Sequence, residues 1–212
     1  MDKRTEKQKL ILEKAQETYL EKGLFNTVMD DIADKAHITR RTLYRYFETK
    51  EELSFEVTIQ ILNEWNHYQL NSYKTLEGTG KEKLYQFLNM LIDYMSNKVY
   101  AMKYLGEFDY YFHDNNRPHS SKQNVSKLHE IAHVSDDLLR EIIVEGQEDG
   151  SISSEIDTDL TVSTISNILW SFGLRNAIWG KTIKKETGFS GIDLIRHQVK
   201  LYIMAMENNN CY

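Results

Sequence analysis

"HITRRTLYRYF", residues 37–47, places three arginines and two tyrosines among a few apolar residues. On a helical wheel over residues 40–47, Leu43 and Phe47 are four apart and share one face. Arg41 and Arg45 lie nearly opposite that face, and Arg40, Thr42, Tyr44 and Tyr46 occupy the flanks. The pattern predicts a short helix anchored by Ile38, Leu43 and Phe47, capped by Thr39, with a solvent face of guanidinium, hydroxyl and phenol groups. Such a face suits DNA: arginine binds guanine edges bidentately, and threonine and tyrosine reach phosphates or thymine methyls.

Working outward, the same logic organises the neighbours. Thr5 and Gln8 have capping-box spacing ahead of a helix to Lys22, and Gly23 suits its end. Thr27 is placed to cap a short helix over 28–36, with Asp30 and Asp31 in its first turn. A short helix, a tight turn and the arginine-bearing helix make a helix-turn-helix. Thr49 and Glu52 form another capping-box pair, opening a long helix through Trp65 to about Ser72. Further helices are predicted over 81–97, 100–112, 122–148 and 160–180, with a last one from Ser190 to about Glu207. The fold class is therefore all-α, with nine helices and no strand. Ten glycines and a single proline, Pro118, agree with long helices.

The net charge is −6, but its distribution is uneven. Residues 1–52 are neutral, so 53–212 carry the whole excess. Within the neutral part, residues 35–50 hold Lys35, Arg40, Arg41, Arg45 and Lys50 against Glu48, and residues 3–9 hold Lys3, Arg4, Lys7 and Lys9 against Glu6. A small module with two basic clusters is joined to a larger acidic one; the predicted domains are 1–50 and 51–212. Cys211 is the only cysteine, which excludes an internal disulfide and a cysteine zinc cage. No apolar run reaches membrane-spanning length, and the charged stretch from Met1 to Lys9 precedes no apolar signal region. A cytoplasmic protein with no cofactor is expected.

Residues 8–53 resemble the TetR family of bacterial transcription regulators. The resemblance rests on Ala15, Gly23, Thr27, "DDIADKA", "TLYRYF" and "TKEEL", and above all on Leu43, Tyr44, Tyr46, Phe47, Lys50, Glu51 and Leu53 at their observed spacing. It implies a three-helix DNA-binding domain followed by a helical domain that pairs two subunits and encloses a small-molecule pocket. It also implies phosphate contacts from Thr27, Tyr46 and Lys50, and a recognition surface of Thr39, Arg40, Arg41, Thr42, Tyr44 and Arg45. Two residues depart from the family pattern. His37 stands where a turn glycine is usual, and Arg41 stands where glycine is frequent. Histidine is among the residues enriched at left-handed backbone positions, so the turn is expected to survive. The operator preference of relatives does not transfer.

In the larger module Val162, Ile165, Leu169, Phe172 and Trp179 recur at three- and four-residue steps, as do Ile192, Ile195, Val199, Tyr202 and Met206. Leu160, Ile168, Leu174, Ile178, Leu194, Leu201 and Met204 widen both stripes. Helices apolar beyond one stripe need two burial partners, here a core and a second subunit. The homodimer interface is expected at Ile165, Leu169, Phe172, Ile195, Val199 and Tyr202, which would set two recognition helices on a palindromic operator. Aromatic residues Trp65, Tyr68, Tyr94, Tyr104, Phe108, Tyr111 and Trp170 are candidates to line an effector site. With Glu107 and Asp109 near, the effector is read as apolar or as a cationic aromatic.

"HEIAH", residues 129–133, matches the H-E-x-x-H spacing that sets two imidazoles on one helix face in zinc proteases. A metal-dependent hydrolase using His129 and His133 is thus the alternative to a regulator. Such a site needs a third ligand and an open coordination position, and no further ligand spacing is present. The preferred reading has no enzyme activity and no metal: a ligand-responsive, dimeric repressor of transcription.

Overall fold

The computed structural model describes residues 3–113 and 122–207. These hold α1 (Lys3–Lys22), α2 (Met29–Lys35), α3 (Arg40–Tyr44), α4 (Lys50–Tyr73), α5 (Gly80–Asn97) and α6 (Val99–His113), then α7 (Lys122–Ala132), α8 (Val134–Glu148), α9 (Thr158–Thr187) and α10 (Gly191–Met206). The architecture is all-α. The chain turns at His133 inside the stretch read as one helix, so α7 and α8 stand together for it. Counted that way, the described residues hold the nine expected helices. The sole extended pairing among them is an isolated bridge between Ile152 and Glu207.

Most boundaries follow from the caps. Thr39, Thr79, Asp157 and Ser190 each accept a backbone N–H with the side-chain oxygen, starting α3, α5, α9 and α10. Thr49 accepts the Glu52 N–H at 3.0 Å, as its capping-box spacing predicts. Two starts differ from expectation. α1 begins at Lys3, ahead of Thr5. α2 is not capped by Thr27, whose hydroxyl donates to the Gly23 carbonyl at 2.7 Å; the Asp31 carboxylate accepts the Val28 N–H instead.

Contacts divide the chain into two units: Met1–Glu64 with Tyr100–Ile131, and Trp65–Val99 with Ala132–Tyr212. The first unit therefore joins most of α6 to the helix-turn-helix, a grouping that chain order does not suggest. Its core contains Ile11, Ala15, Tyr19, Leu24, Ile32, Leu43, Phe47, Leu53 and Tyr104. Leu43 and Phe47 are its link to the arginine stretch, and both are buried as the wheel predicts.

The turn between α2 and α3 is a helix C-terminal motif. His37 has φ 51, the one positive φ at a non-glycine among the described residues. The His37 N–H donates to the Asp34 carbonyl and the Ile38 N–H to the Ala33 carbonyl, at 3.1 and 3.0 Å. This pairing closes the last turn of α2 and needs a left-handed residue after the cap.

In the second unit α5 packs on α8, α9 and α10 around Leu84, Phe87, Leu88, Leu91, Leu139, Ile142 and Ile143. The α5–α8 crossing is closest at two glycines. A Cβ on Gly80 would strike the Gly146 backbone, and a Cβ on Gly146 would strike Ile152.

Two outcomes are expected in thermal or urea unfolding. Gly80→Ala destabilises by at least about 1–3 kcal/mol, because backbone at the crossing must move apart. His37→Gly stabilises by about 1 kcal/mol, raising the melting temperature by about 2–4 °C. A neutral Gly80→Ala, or a destabilising His37→Gly, would show that the crossing or the turn is not as tight as described.

Candidate nucleic-acid interface

The recognition surface is built on a very short helix. Thr39 accepts the Thr42 N–H at 3.2 Å, and the two hydroxyls lie 2.9 Å apart, so both threonines fasten the first turn of α3. Leu43 anchors the inner side. Arg40, Arg41, Tyr44 and Arg45 are exposed. The Arg40 guanidinium lies 5.4 Å from the Tyr44 ring centre and donates to Asp30 at 3.0 Å. Arg45 lies 5.6 Å from the Tyr46 ring, and Tyr46 is half-buried. Arg41 and Arg45 form no ion pair among the described residues. One cluster counted as basic in the sequence is partly neutralised: Lys35 pairs with Glu21 at 2.7 Å and Glu17 at 3.5 Å.

The three residues assigned to phosphates are placed differently. Tyr46 and Lys50 are half-buried, with the Lys50 ammonium 5.7 Å from the Tyr111 ring centre. Thr27 is fully buried, and its hydroxyl is tied to Gly23. The side chain acts as a latch between α1 and α2, because a buried hydroxyl seeks the nearest carbonyl.

One face of α6 docks onto this module. Tyr104 is fully buried, stacks on Tyr19 with ring centres 5.4 Å apart, and donates to the Ser54 carbonyl at 2.9 Å. Burial pushes both phenols well above the ordinary tyrosine range, so they remain hydrogen-bond donors. Glu107 accepts the Leu24 N–H at 2.6 Å, just beyond Gly23, whose φ is +82. Tyr111 donates to Glu51 at 2.7 Å. Residues 104, 107 and 111 share a helix face by their spacing. Together they hold the end of α1 and the first turns of α4. No local pattern announces Glu107; its partner is 83 residues away.

The seven aromatics expected around an effector divide between the two units. Tyr104, Phe108 and Tyr111 belong to the first unit, where Phe108 meets Phe55 edge-on at 5.0 Å. They serve that unit's core because α6 closes it. Trp65, Tyr68, Tyr94 and Trp170 belong to the second. There Trp65 and Tyr68 meet Tyr94 at 5.0 and 4.6 Å, Trp65 donates to Ser135 at 3.3 Å, and Tyr68 donates to the Met90 carbonyl. A cleft in this unit between Ile92, Met95, Val99, Phe172, Asn176 and Ile195 has a volume of about 20 Å³, room for about one water. Glu107, expected near a cationic ligand, is already committed to Leu24.

The expected dimer residues differ in burial. Ile165, Leu169, Ile195 and Val199 are buried within the second unit itself, and Phe172 and Tyr202 are half-buried. The apolar residues left open on α9 and α10 are Leu160, Ile168, Ile178, Trp179, Leu201 and Met204. Both stripes were visible in the sequence; which one turned to solvent was not.

The H-E-x-x-H spacing is not carried on one helix. α7 ends at Ala132, and His133 is the residue ahead of α8, exposed and 3.9 Å from Asp136. The spacing thus straddles a helix boundary, and among the described residues no cluster of three or more metal-ligating side chains forms. The side chain of His129 lies outside the described residues.

Residues 11–57 match the family model for bacterial regulatory proteins of the tetR family. No curated protein sequence matches the chain. Among solved structures it resembles the ketosteroid transcriptional regulator KstR2 of Mycobacterium tuberculosis, 18% identical, covering 99% of this chain and 97% of that one with a TM-score of 0.64. It also resembles the transcriptional regulator FadR from Bacillus subtilis in complex with stearoyl-CoA, 19% identical, covering 92% and 96% with a TM-score of 0.62. A fatty acid degradation regulator, FadR from Bacillus halodurans, is 19% identical, covering 97% of each chain with a TM-score of 0.65. These likenesses show a shared fold along almost the whole chain. No described helix is long and apolar enough to cross a membrane. The match over residues 11–57, with the fold shared beyond it, makes the chain similar to bacterial regulatory proteins of the tetR family.

Proposed function

We propose that the protein represses transcription as a homodimer, each subunit setting α3 in the major groove of one half of a palindromic operator, and that an apolar small molecule releases it. The observation that carries the reading is the outer face of α3. Arg40, Arg41, Tyr44 and Arg45 are exposed there, on a helix pinned by the Thr39 cap and by Leu43. That face offers bidentate donors at groove scale, on a rigid support. Tyr46 and Lys50 flank it as phosphate contacts, which set register without reading sequence. The N-terminal domain, about residues 1–50, supplies the reading surface, and residues 51–212 supply pairing and response.

The open apolar residues of α9 and α10 support pairing. Ile178, Trp179, Leu201 and Met204 are each at least half exposed. Apolar residues grouped this way favour a partner, and two-fold pairing gives the two recognition helices that half-sites about 34 Å apart require. An apolar effector is supported by Trp65, Tyr68 and Tyr94, and by the stearoyl-CoA and ketosteroid named for two proteins of the same fold. Since the cleft beside Phe172 holds about one water, an effector bound there enters by parting helices. It shifts the protein towards release only through its higher affinity for that parted state.

Selection of bound duplexes from a random pool tests the reading. One recurrent two-fold symmetric sequence is expected; the absence of any enriched sequence overturns it. On the selected duplex, Arg41→Ala costs about 1–3 kcal/mol per half-site and much less on scrambled DNA. Lys50→Ala weakens both duplexes alike and lowers the salt slope by about one per subunit. Equal losses on both duplexes for Arg41→Ala would reduce it to a phosphate clamp.

Sedimentation checks the pairing. The wild type runs as a dimer, and Leu201→Asp with Met204→Asp gives a helical monomer whose operator affinity falls by about 100-fold or more. A wild-type monomer at micromolar concentration would remove the two-half-site reading.

A further inference from the structure

Arg40 is the one arginine of the recognition stretch held in an ion pair among the described residues. Its Nη1 donates to Asp30 Oδ2 at 3.0 Å, and its guanidinium sits 5.4 Å from the Tyr44 ring centre. Asp30 comes from the first turn of α2, across the turn at His37. Its neighbour Asp31 is engaged elsewhere, accepting the Val28 N–H and pairing with Lys22 at 2.5 Å. Lys22 holds the Asp31 carboxyl below the usual range. Asp31 therefore serves the fold, and Asp30 does not. The side chains of Asp30 and Arg40 are 54% and 64% exposed, where an ion pair adds little to stability.

A carboxylate on a surface that meets phosphates raises the energy of every DNA complex unless it has compensating work. A guanidinium has five donors in a planar fork. A carboxylate on one edge and a tyrosine beside it restrict its orientation, and five donors leave some for a further partner. An unheld arginine would turn to the nearest phosphate, the strongest local attraction.

We propose that Asp30 is a positioning residue for sequence readout: with Tyr44 it orients Arg40 towards a base edge, and its charge penalises DNA in which that base is absent. The proposal rests on α3 being the DNA-reading helix. On a duplex with a matching acceptor pair, the oriented guanidinium repays the carboxylate's repulsion. On other sequences the repulsion stands alone. Asp30 thus lowers non-specific binding more than it lowers operator binding.

The test compares wild type, Asp30→Asn, Asp30→Glu, Arg40→Ala and the Asp30→Asn/Arg40→Ala pair. Each is put through selection from a random duplex pool, then titrated on the wild-type sequence and a scrambled duplex across a salt series. Expected for Asp30→Asn are severalfold tighter binding to scrambled DNA, a salt slope steeper by about one per subunit, and lost preference at one base position per half-site. Arg40→Ala loses preference at that same position, and adding Asp30→Asn to it changes the preference no further. Asp30→Glu retains the wild-type slope. Circular dichroism and melting match wild type throughout.

Unchanged preference and slope in Asp30→Asn overturn the role of Asp30 while leaving α3 as the reading helix. So does a parallel loss on both duplexes with a lowered melting temperature, which marks a structural role. A wild type that enriches no sequence overturns the reading of α3 first, and this inference with it.

Discussion

The presentation of α3 depends on how the backbone leaves α2. Four residues must end one helix, reverse direction and start another, with no buried N–H or C=O left unpaired. The chain solves this with two carbonyl pairings across His37, one threonine cap and one apolar plug at Leu43. Every element of the reading surface inherits its direction from that geometry. The left-handed backbone at residue 37 carries a cost that glycine would avoid. The surrounding bonds over-determine the turn, so it persists with a histidine in it.

Much of this was legible in local chemistry. Helix starts at Thr39, Thr49 and Ser190 follow from a short oxygen-bearing side chain placed before an apolar period. Burial of Leu43 and Phe47 follows from their four-residue spacing. What escaped the sequence is long-range or two-sided. Glu107 seeks an N–H 83 residues away, and periodicity is silent about such a partner. α9 and α10 carry apolar residues on both flanks, and only packing decides which flank is core. Thr27 matches a capping position, yet a carbonyl four residues back captures its hydroxyl. His133 sits in an unbroken helical pattern, and no residue there announces the break between α7 and α8.

The charges of the first unit are arranged in two grades. Lys22 and Lys35 pair across α1 and α2, holding the two helices together, and Lys14 pairs with Glu17 within α1. Among the described residues Arg41 and Arg45 stand apart from such pairs, on an exposed face. The same residue class thus performs scaffold and surface work, separated by which acids lie within reach. Net charge hides this division, because both grades count equally in a sum.

Gly23 is constrained twice over. Its backbone is left-handed, with φ +82, and the Glu107 carboxylate lies where a side chain would begin. The two constraints are independent: one disfavours most residues by conformation, the other requires the Glu107 carboxylate, and its bond to Leu24, to shift before a side chain fits. A shorter residue 107 would relieve the crowding and leave the left-handed backbone untouched. Position 23 therefore tolerates change at 107 better than position 107 repays change at 23, and the glycine is the more fixed of the pair.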